Sequence, residues 1–261
     1  MIRAGIGGWT FEPWRGVFYP KGLTQARELE FASANVTTIE INGTYYSTQK
    51  PESFRKWAAE TPDDFVFSVK AVRFATNRRV LAEAAPSIDK FISSGVSELG
   101  KKLGPILWQF MPTKKFDADD FGAFLEALPK AVDGLKLRHA VEVRHESFLV
   151  PEFVALARKY NVAVVLADSA KYPMIADVTA DFVYVRLQQA QAAITTGYSP
   201  TQIKTWVHRA QTWAAGNAVK DLPVIAPVAK AKKRDVFVYM INGAKERAPA
   251  AAMAFLEQLS K

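Results

Sequence analysis

A closed barrel of eight parallel strands ringed by helices, a single (β/α)8 TIM-barrel-like domain, is the fold this sequence predicts. Three observations carry that expectation. Eight short apolar stretches recur along the 261 residues, most with side chains alternating at period two. Nearly every one is followed by a stretch of helical period, and alternating strand and helix implies a parallel sheet. No linker or low-complexity run divides the chain, so residues 1–261 read as one α/β domain, and eight units in this length close into a barrel. A doubly wound open sheet is the alternative. Its phosphate-binding fingerprint is missing, since Gly5-Ile6-Gly7-Gly8 lacks the G-x-G-x-x-G spacing, and no other nucleotide-cofactor motif stands in its place.

The first strand spans residues 2–8. Gly5, Gly7 and Trp9 share one face, where glycine lets a ligand or another backbone come close. An aromatic loop, Phe11 to Pro20, and a helix over 23–35 lead to the second strand, 36–42. There Glu40 and Asn42 lie on one face, Ile39 and Ile41 on the other. A helix over 51–60 ends at Thr61-Pro62, because the residue before proline is pushed out of the helical region. The third strand, 65–70, sets Ser68 and Lys70 opposite Phe65, Phe67 and Val69. The basic loop Val72 to Arg79 precedes a helix over 86–99 that starts on proline, whose missing N–H suits a first turn. The fourth strand, 105–110, carries Gln109 near its end, and a helix over 117–128 follows. In the fifth, His139-Ala-Val-Glu-Val-Arg-His145, Val141 and Val143 oppose Ala140, Glu142 and Arg144. A helix over 151–160 leads to the sixth strand, 162–168, ending in Asp168. The seventh, 181–188, aligns Tyr184, Arg186 and Gln188 on one face. Ser199-Pro200 caps a helix that runs to about residue 215. Residues 221–234 are irregular and end in a basic run. The eighth strand, 235–242, ends in Asn242, and a helix over 249–259 closes the chain.

Composition narrows the function. Hydrophobic residues are 49% of the chain, enough for a sizeable core. The absence of cysteine excludes disulfides, a thiol nucleophile and thiolate metal sites. Met1-Ile-Arg-Ala-Gly5 reads as neither a signal peptide nor a membrane span, so a cytoplasmic protein with no membrane partner is expected. The net charge of +8 suits an anionic partner, either a small molecule or a nucleic acid.

Several ordered motifs resemble one family. They are Gly7-Gly-Trp9, Trp14-Arg-Gly-Val-Phe-Tyr-Pro20, Thr38-Ile-Glu-Ile-Asn42 followed by Tyr45-Tyr46, and Trp57. Thr61-Pro62, Phe65-x-Phe67-x-x-Lys70, Leu107-x-Gln109-x-x-Pro112 and Val141-Glu-x-Arg-His145 continue the pattern. The chain resembles the YecE-like DUF72 family over most of its length, most densely over residues 5–146. The resemblance implies a TIM-barrel-like fold and brings no reaction with it. The pattern departs late. Where the family's seventh strand ends Arg-x-His-Gly, this chain reads Arg186-Leu-Gln188-Gln189, and where the eighth ends Asn-Asn, it reads Asn242-Gly243. If the missing histidine serves chemistry, activity here is changed or lost.

The residues themselves point to a site at the C-terminal ends of the strands, where such barrels do chemistry. Glu40, Asn42, Lys70, Gln109, Glu142, Arg144, Asp168, Arg186 and Asn242 all end strands, mostly on the face opposite the bulky aliphatics. A buried ionic network that merely closes the barrel is the bland reading. Apolar side chains would do that more cheaply, because buried ion pairs often add little net stability. Three carboxylates, Glu40, Glu142 and Asp168, could hold one divalent magnesium or manganese ion. Of the three histidines only His145 is well placed for catalysis, so a multi-zinc cluster is not expected. Lys70, Arg144 and Arg186 point to an anion such as phosphate or carboxylate. A Schiff-base role for Lys70 is open, but pairing with nearby carboxylates, which would raise its pKa, is preferred.

Loops after strands add Arg73, Arg78, Arg79, Lys114, Lys115 and Lys171 to the same rim, with Trp9, Phe11, Trp14, Phe18, Tyr19, Tyr45 and Tyr46. Cations mixed with aromatics suit a nucleotide or nucleic acid, although most of these aromatics are expected to pack as a lid. The run Lys230 to Arg234 precedes a strand and is expected as a solvated loop on the opposite face. The expectation is an enzyme on a phosphodiester, sugar phosphate or other anionic substrate. Glu142 would be general acid or base, Asp168 and Glu40 would orient it, and Lys70 and His145 complete the catalytic set. Arg144, Arg186, Asn42, Gln109, Asn242, Trp9, Tyr45 and Tyr46 would bind substrate. The alternative is a non-catalytic nucleic-acid-binding barrel.

Overall fold

Nine parallel strand segments form one sheet in the computed structural model, which describes residues 1–261. The strands are β1 (Ile2–Gly7), β2 (Thr38–Ile41), β3 (Val66–Lys70), β4 (Leu103–Gln109) and β5 (His139–Glu142). Then come β6 in two pieces (Ala163–Val164 and Leu166–Asp168), β7 (Phe182–Leu187) and β8 (Asp235–Met240). β1 pairs with both β2 and β8, and the remaining strands pair in sequence order. The two pieces of β6 stand at opposite ends of the strand order, yet only Val165 separates them. The first piece pairs with β5 and the second with β7. One strand thus bridges the two ends of the sheet and nearly closes the expected barrel.

Seven helices pack outside: α1 (Glu28–Asn35), α2 (Pro51–Ala59), α3 (Ala85–Ile92), α4 (Ala118–Glu126), α5 (Pro151–Lys159), α6 (Pro200–Ala214) and α7 (Ala248–Leu259). Two begin with side-chain caps that satisfy otherwise unpaired first-turn amides. Asp117 Oδ1 accepts from the Asp120 amide at 2.9 Å. Ser199 and Gln202 form a reciprocal capping box at the start of α6. The helix expected over 86–99 stops at Ile92. Gly95, at φ 110°, turns the chain in a conformation that side chains resist, and a 3-10 segment, Val96–Lys102, follows. The first third of the helix expected over 23–35 is likewise a 3-10 turn, Gln25–Arg27. A single helical turn, Arg73–Thr76, lies in the basic loop after β3.

Period-two alternation sorts the strand side chains. Outward residues such as Ile39, Phe67, Trp108, Val141 and Val185 join Phe54, Phe91, Phe124, Phe153, Trp213 and Phe255 in one continuous sheet–helix core. Burying each large apolar side chain there contributes roughly 1.5–3 kcal/mol. Inward residues form a separate cluster in three levels. At the N-terminal end Phe182 and Phe237 meet edge to face, with their ring centroids 6.1 Å apart and Arg138 over both. Above them come hydroxyls. Tyr239 donates to Thr38 Oγ1 at 2.9 Å, while Thr38 donates to the Val66 carbonyl at 2.7 Å. Ser68 Oγ sits 2.8 Å from both the Pro105 carbonyl and the Tyr184 oxygen. The charged groups lie one inward position higher still. Gly5, on β1, leaves room for a neighbouring backbone: a Cβ there would stand 1.7 Å from the Thr38 carbonyl oxygen.

The irregular stretch before β8 is partly anchored. Lys230, Lys232 and Lys233 are exposed, as a solvated loop requires, but Arg234 is buried. Its guanidinium donates to the carbonyls of Ala180, Lys232 and Lys230, which ties the loop to the bottom of the barrel. No helix is long and apolar enough to cross a membrane.

Candidate functional site

Arg186 is the hub of the charged level. It lies two residues beyond Tyr184 on β7 and is 2% exposed. Its Nη2 and Nε donate to Glu40 at 2.9 and 3.1 Å, and its Nη1 donates to Glu142 Oε2 and, at 3.3 Å, to Gln109 Oε1. Arg144 Nε donates to the other Glu142 oxygen at 2.7 Å and its Nη2 to Gln109 Oε1 at 2.8 Å. Glu142 therefore has one guanidinium on each oxygen and no exposed surface. Glu40, equally buried, accepts a third bond from the Tyr184 hydroxyl at 2.6 Å. Burial would lower the pKa of Arg186, but Glu142 and Glu40 hold it above the usual arginine value. Burial would raise the pKa of Glu142, yet Arg186, Arg144 and Lys70 keep it below the ordinary carboxylate range. Both charges are fixed as an ion network.

Lys70 differs. Its Nζ donates to Gln109 Oε1 at 2.9 Å and lies 4.3 Å from the Tyr45 ring centroid, and it makes no salt bridge. The sequence led to the expectation that carboxylates would raise its pKa. Burial and the charge of Arg186 outweigh Glu40 and Glu142, and lower it to about 8. Both carboxylates give their oxygens to guanidiniums, and a planar fork competes better for them than a point-like ammonium.

A cleft of about 610 Å³ opens above this level. Its cations are Lys70, Arg144, Arg186 and Lys245, and no carboxylate lines it. Gln109, Asn42, Gln49 and Asn242 add amides, Thr10 a hydroxyl, and Trp9, Trp57 and Tyr46 aromatic surface. Trp9 meets Trp57 edge to face at 5.2 Å. Tyr45 lies under Lys70 rather than on the wall, and Tyr46 is 65% exposed. Most of the loop aromatics pack together: Trp14 and Tyr19 are fully buried against Phe11, Phe18 and Phe31. Trp14 Nε1 donates to the Lys245 carbonyl at 3.0 Å, which holds the first loop against the last.

Some expected site residues lie elsewhere. On β6 the inward residues are Ala163 and Val165, so Asp168 shares the outward face with Val164 and Leu166. It sits in a separate hollow against α6, where it accepts from Gln189 Nε2 at 2.6 Å. Burial raises its pKa, against the Gln189 hydrogen bond and Arg209. Glu40, Glu142 and Asp168 are not gathered, and no three His, Asp or Glu residues cluster as a metal-ligand set. His145 Nδ1 accepts from the Ser147 amide at 3.1 Å, capping a 3-10 turn away from the cleft lining. Of the basic loops, Arg78 donates to the Phe74 carbonyl and Lys114 pairs with Asp120 at 2.6 Å, while Arg73, Arg79, Lys115 and Lys171 are exposed.

Lys245, Trp57, Gln49 and Thr10 line the cleft and were not among the expected site residues. Lys245 had a legible signal, since it follows the last strand by a few residues and so falls on the same rim. Trp57 had only its place in the family pattern, because a tryptophan in an amphipathic helix reads as core.

The sequence model for the family described as "Protein of unknown function DUF72" matches residues 3–261. The chain belongs to the DUF72 family. Among curated relatives, this DUF72 chain is 28% identical to the UPF0759 protein YecE of Escherichia coli K12 over 151 residues, 57% of this chain and 50% of that one. It is 29% identical to the UPF0759 protein YunF of Bacillus subtilis 168 over 117 residues, 43% and 40% of the two chains. The match thus spans about half the length of these curated relatives. A crystal structure of a DUF72 family protein from Thermotoga maritima MSB8 superposes over 100% of both chains with a TM-score of 0.76 at 22% identity. The structure of SacUVDE covers 100% of this chain and 98% of its own with a TM-score of 0.56 at 8% identity, which is a likeness of fold.

Proposed function

We propose that this DUF72 chain is an enzyme whose rim cleft receives an anionic substrate, with a phosphate group as the best fit. One observation carries the reading: four cations and no carboxylate line the cleft. Lys70, Arg144 and Arg186 face the two buried carboxylates Glu40 and Glu142, which leaves one positive charge in excess, and Lys245 adds another. A network that only closed the barrel would need neither that excess nor an open floor. Arg144 is the best-placed anion donor, because its guanidinium is only partly used by Glu142 and Gln109 and it stacks 4.4 Å over Tyr172. Guanidinium bonds to phosphate are charge-assisted and about twice as strong as neutral ones. Trp9, Trp57 and Tyr46 offer a surface for the remainder of a sugar phosphate or phosphodiester.

The acid–base role assigned from sequence to Glu142 moves to Lys70. A general acid or base needs a free proton site near the operating pH and contact with the substrate. Glu142 has neither, whereas Lys70 lines the cleft and titrates at about pH 8. Glu40 and Glu142 are positioning residues for the arginines. Calorimetric titration with inorganic phosphate, sugar phosphates and short phosphodiesters tests this reading. Binding by at least one, weakened in Arg144→Ala, supports it. No binding by any of them at low salt contradicts it.

A nucleic-acid ligand is the second reading. Arg73, exposed, lies over the rings of Tyr46 and Phe74 at 5.9 and 5.5 Å, and both aromatics are themselves exposed at the edge of the rim. Such a mixture suits base stacking beside phosphate contacts. Binding to a single-stranded oligonucleotide that drops steeply with salt, without turnover, favours it.

A further inference from the structure

We propose that Lys70 is an amine nucleophile that forms an imine with a carbonyl group of the anionic ligand. This deepens the reading of the rim cleft as an anion site and rests on it. Lys70 ends β3 at the C-terminal rim of the barrel, is 8% exposed and is one of the residues that line the cleft. Most buried lysines hold their charge against a carboxylate. Here every carboxylate oxygen nearby is committed. Glu40 accepts from Arg186 and Tyr184, and Glu142 from Arg144 and Arg186. The one hydrogen-bond partner of the Lys70 Nζ is Gln109 Oε1, a neutral acceptor already shared with Arg144 and Arg186. Two guanidiniums beside a desolvated ammonium favour its neutral form, and the uncharged amine is the nucleophile.

Geometry supplies the other half. Of the two guanidiniums that disfavour the ammonium, Arg186 the more strongly, Arg144 lines the cleft with donors left for an anion. A ligand whose phosphate sits on Arg144 presents its neighbouring atoms over Lys70, because both side chains share one oxygen of Gln109 as a fixed reference point. A short phosphorylated aldehyde or ketone therefore brings its carbonyl carbon to Nζ. The step balances without any further reactant. The ammonium and the carbonyl give an iminium and one water: a C=N bond replaces the C=O bond. Of the three ammonium hydrogens, one stays on nitrogen and two leave in the water with the carbonyl oxygen. The iminium is then an electron sink for loss of a group from the adjacent carbon, and water reverses the linkage.

The test uses glyceraldehyde 3-phosphate, with uncharged glyceraldehyde as its control, each with cyanoborohydride to reduce any imine to a stable secondary amine. Intact mass and peptide mapping locate the adduct, and phosphate binding is measured separately by calorimetry. The expected result is one adduct, on Lys70, formed at least about tenfold faster with the phosphorylated aldehyde, a gain of roughly 1.4 kcal/mol. Inorganic phosphate should suppress it, its rate should rise as pH is raised through about 8, and Lys70→Arg, which keeps the cation, should abolish it. If phosphate binds but label spreads over surface lysines such as Lys232 and Lys233, the nucleophile assignment is overturned while the anion site stands. If phosphate does not bind and both aldehydes label Lys70 equally, the anion reading is overturned, and the ligand class proposed here with it.

Discussion

Replacing Glu142 by Gln keeps its volume and removes its charge. The consequence follows from its two partners. Arg186, with a side chain 3% exposed, retains Glu40. Arg144, 14% exposed, loses its only carboxylate. Breaking a buried ion pair by removing one partner costs about 3–5 kcal/mol, because the surviving charge remains desolvated. For a chain of this size each kcal/mol lowers Tm by about 2–4 °C. Glu142→Gln should therefore melt roughly 10 °C lower, with a reduced denaturant midpoint and an unchanged m-value. The pH dependence carries the same sign. A carboxylate whose folded pKa lies below its unfolded value stabilises the protein above the unfolded pKa, and that stability is lost as pH falls through the folded value. The gap between wild type and variant should thus be full at neutral pH and shrink below about pH 4.5. Thermal unfolding followed by circular dichroism at pH 7 and under acid reads both. A variant with wild-type Tm at pH 7 would refute the strut role and return Glu142 to the candidates for chemistry.

Other outcomes follow from the same structure. Arg144→Ala should weaken phosphate binding about tenfold to a hundredfold in calorimetry, the loss of a hydrogen bond to a charged group. Sulfate, which does not titrate near neutrality, should bind more weakly as pH rises through about 8, and Lys70→Arg should remove that dependence. His139 is buried and neutral. Its Nδ1 accepts from Trp108 Nε1 at 3.1 Å, its Nε2 lies 2.7 Å from the Pro129 carbonyl, and burial lowers its pKa from 6.5 to about 4. The unfolded chain then binds the extra proton, so stability should fall as pH drops from 6.5 towards 4, and a His139→Gln variant should lack that part of the slope in urea titrations. If nucleic acid is the ligand, oligonucleotide affinity should fall about a thousandfold or more between 50 and 200 mM salt.

The barrel was legible because its strands obey one rule throughout. Alternation alone puts Glu40, Ser68, Lys70, Glu142, Tyr184 and Arg186 on the inward face, and the helix stop at Thr61-Pro62 and the helix start at Ser199-Pro200 fall where the local chemistry puts them. Asp168 exposes the limit of that rule. The phase of a strand is fixed by its bulky neighbours, and in Ala163-Val-Val-Leu-Ala-Asp168 both faces are apolar, so the sequence does not say which is inside. Roles were harder than places. Glu142 and Lys70 stand at equivalent heights, and only the pairing of donors with oxygens makes one a fixed charge and the other a titrating amine. Pairing depends on distances between strands far apart in sequence, such as 44 residues for Glu142 and Arg186. The short helical turn over Arg73–Thr76 left no periodic trace because it is shorter than the window in which a period can be seen.

The central claim is that the rim cleft is an anion site, and an anion-soaked crystal tests it most directly. Tungstate mimics phosphate in shape and charge and reveals itself by anomalous scattering. An ordered tungstate within hydrogen-bond reach of Arg144 and Lys70, absent from Arg144→Ala crystals, is the predicted result. Tungstate found only at the exposed lysines 230, 232 and 233, with the cleft empty at saturating concentration, would contradict the account.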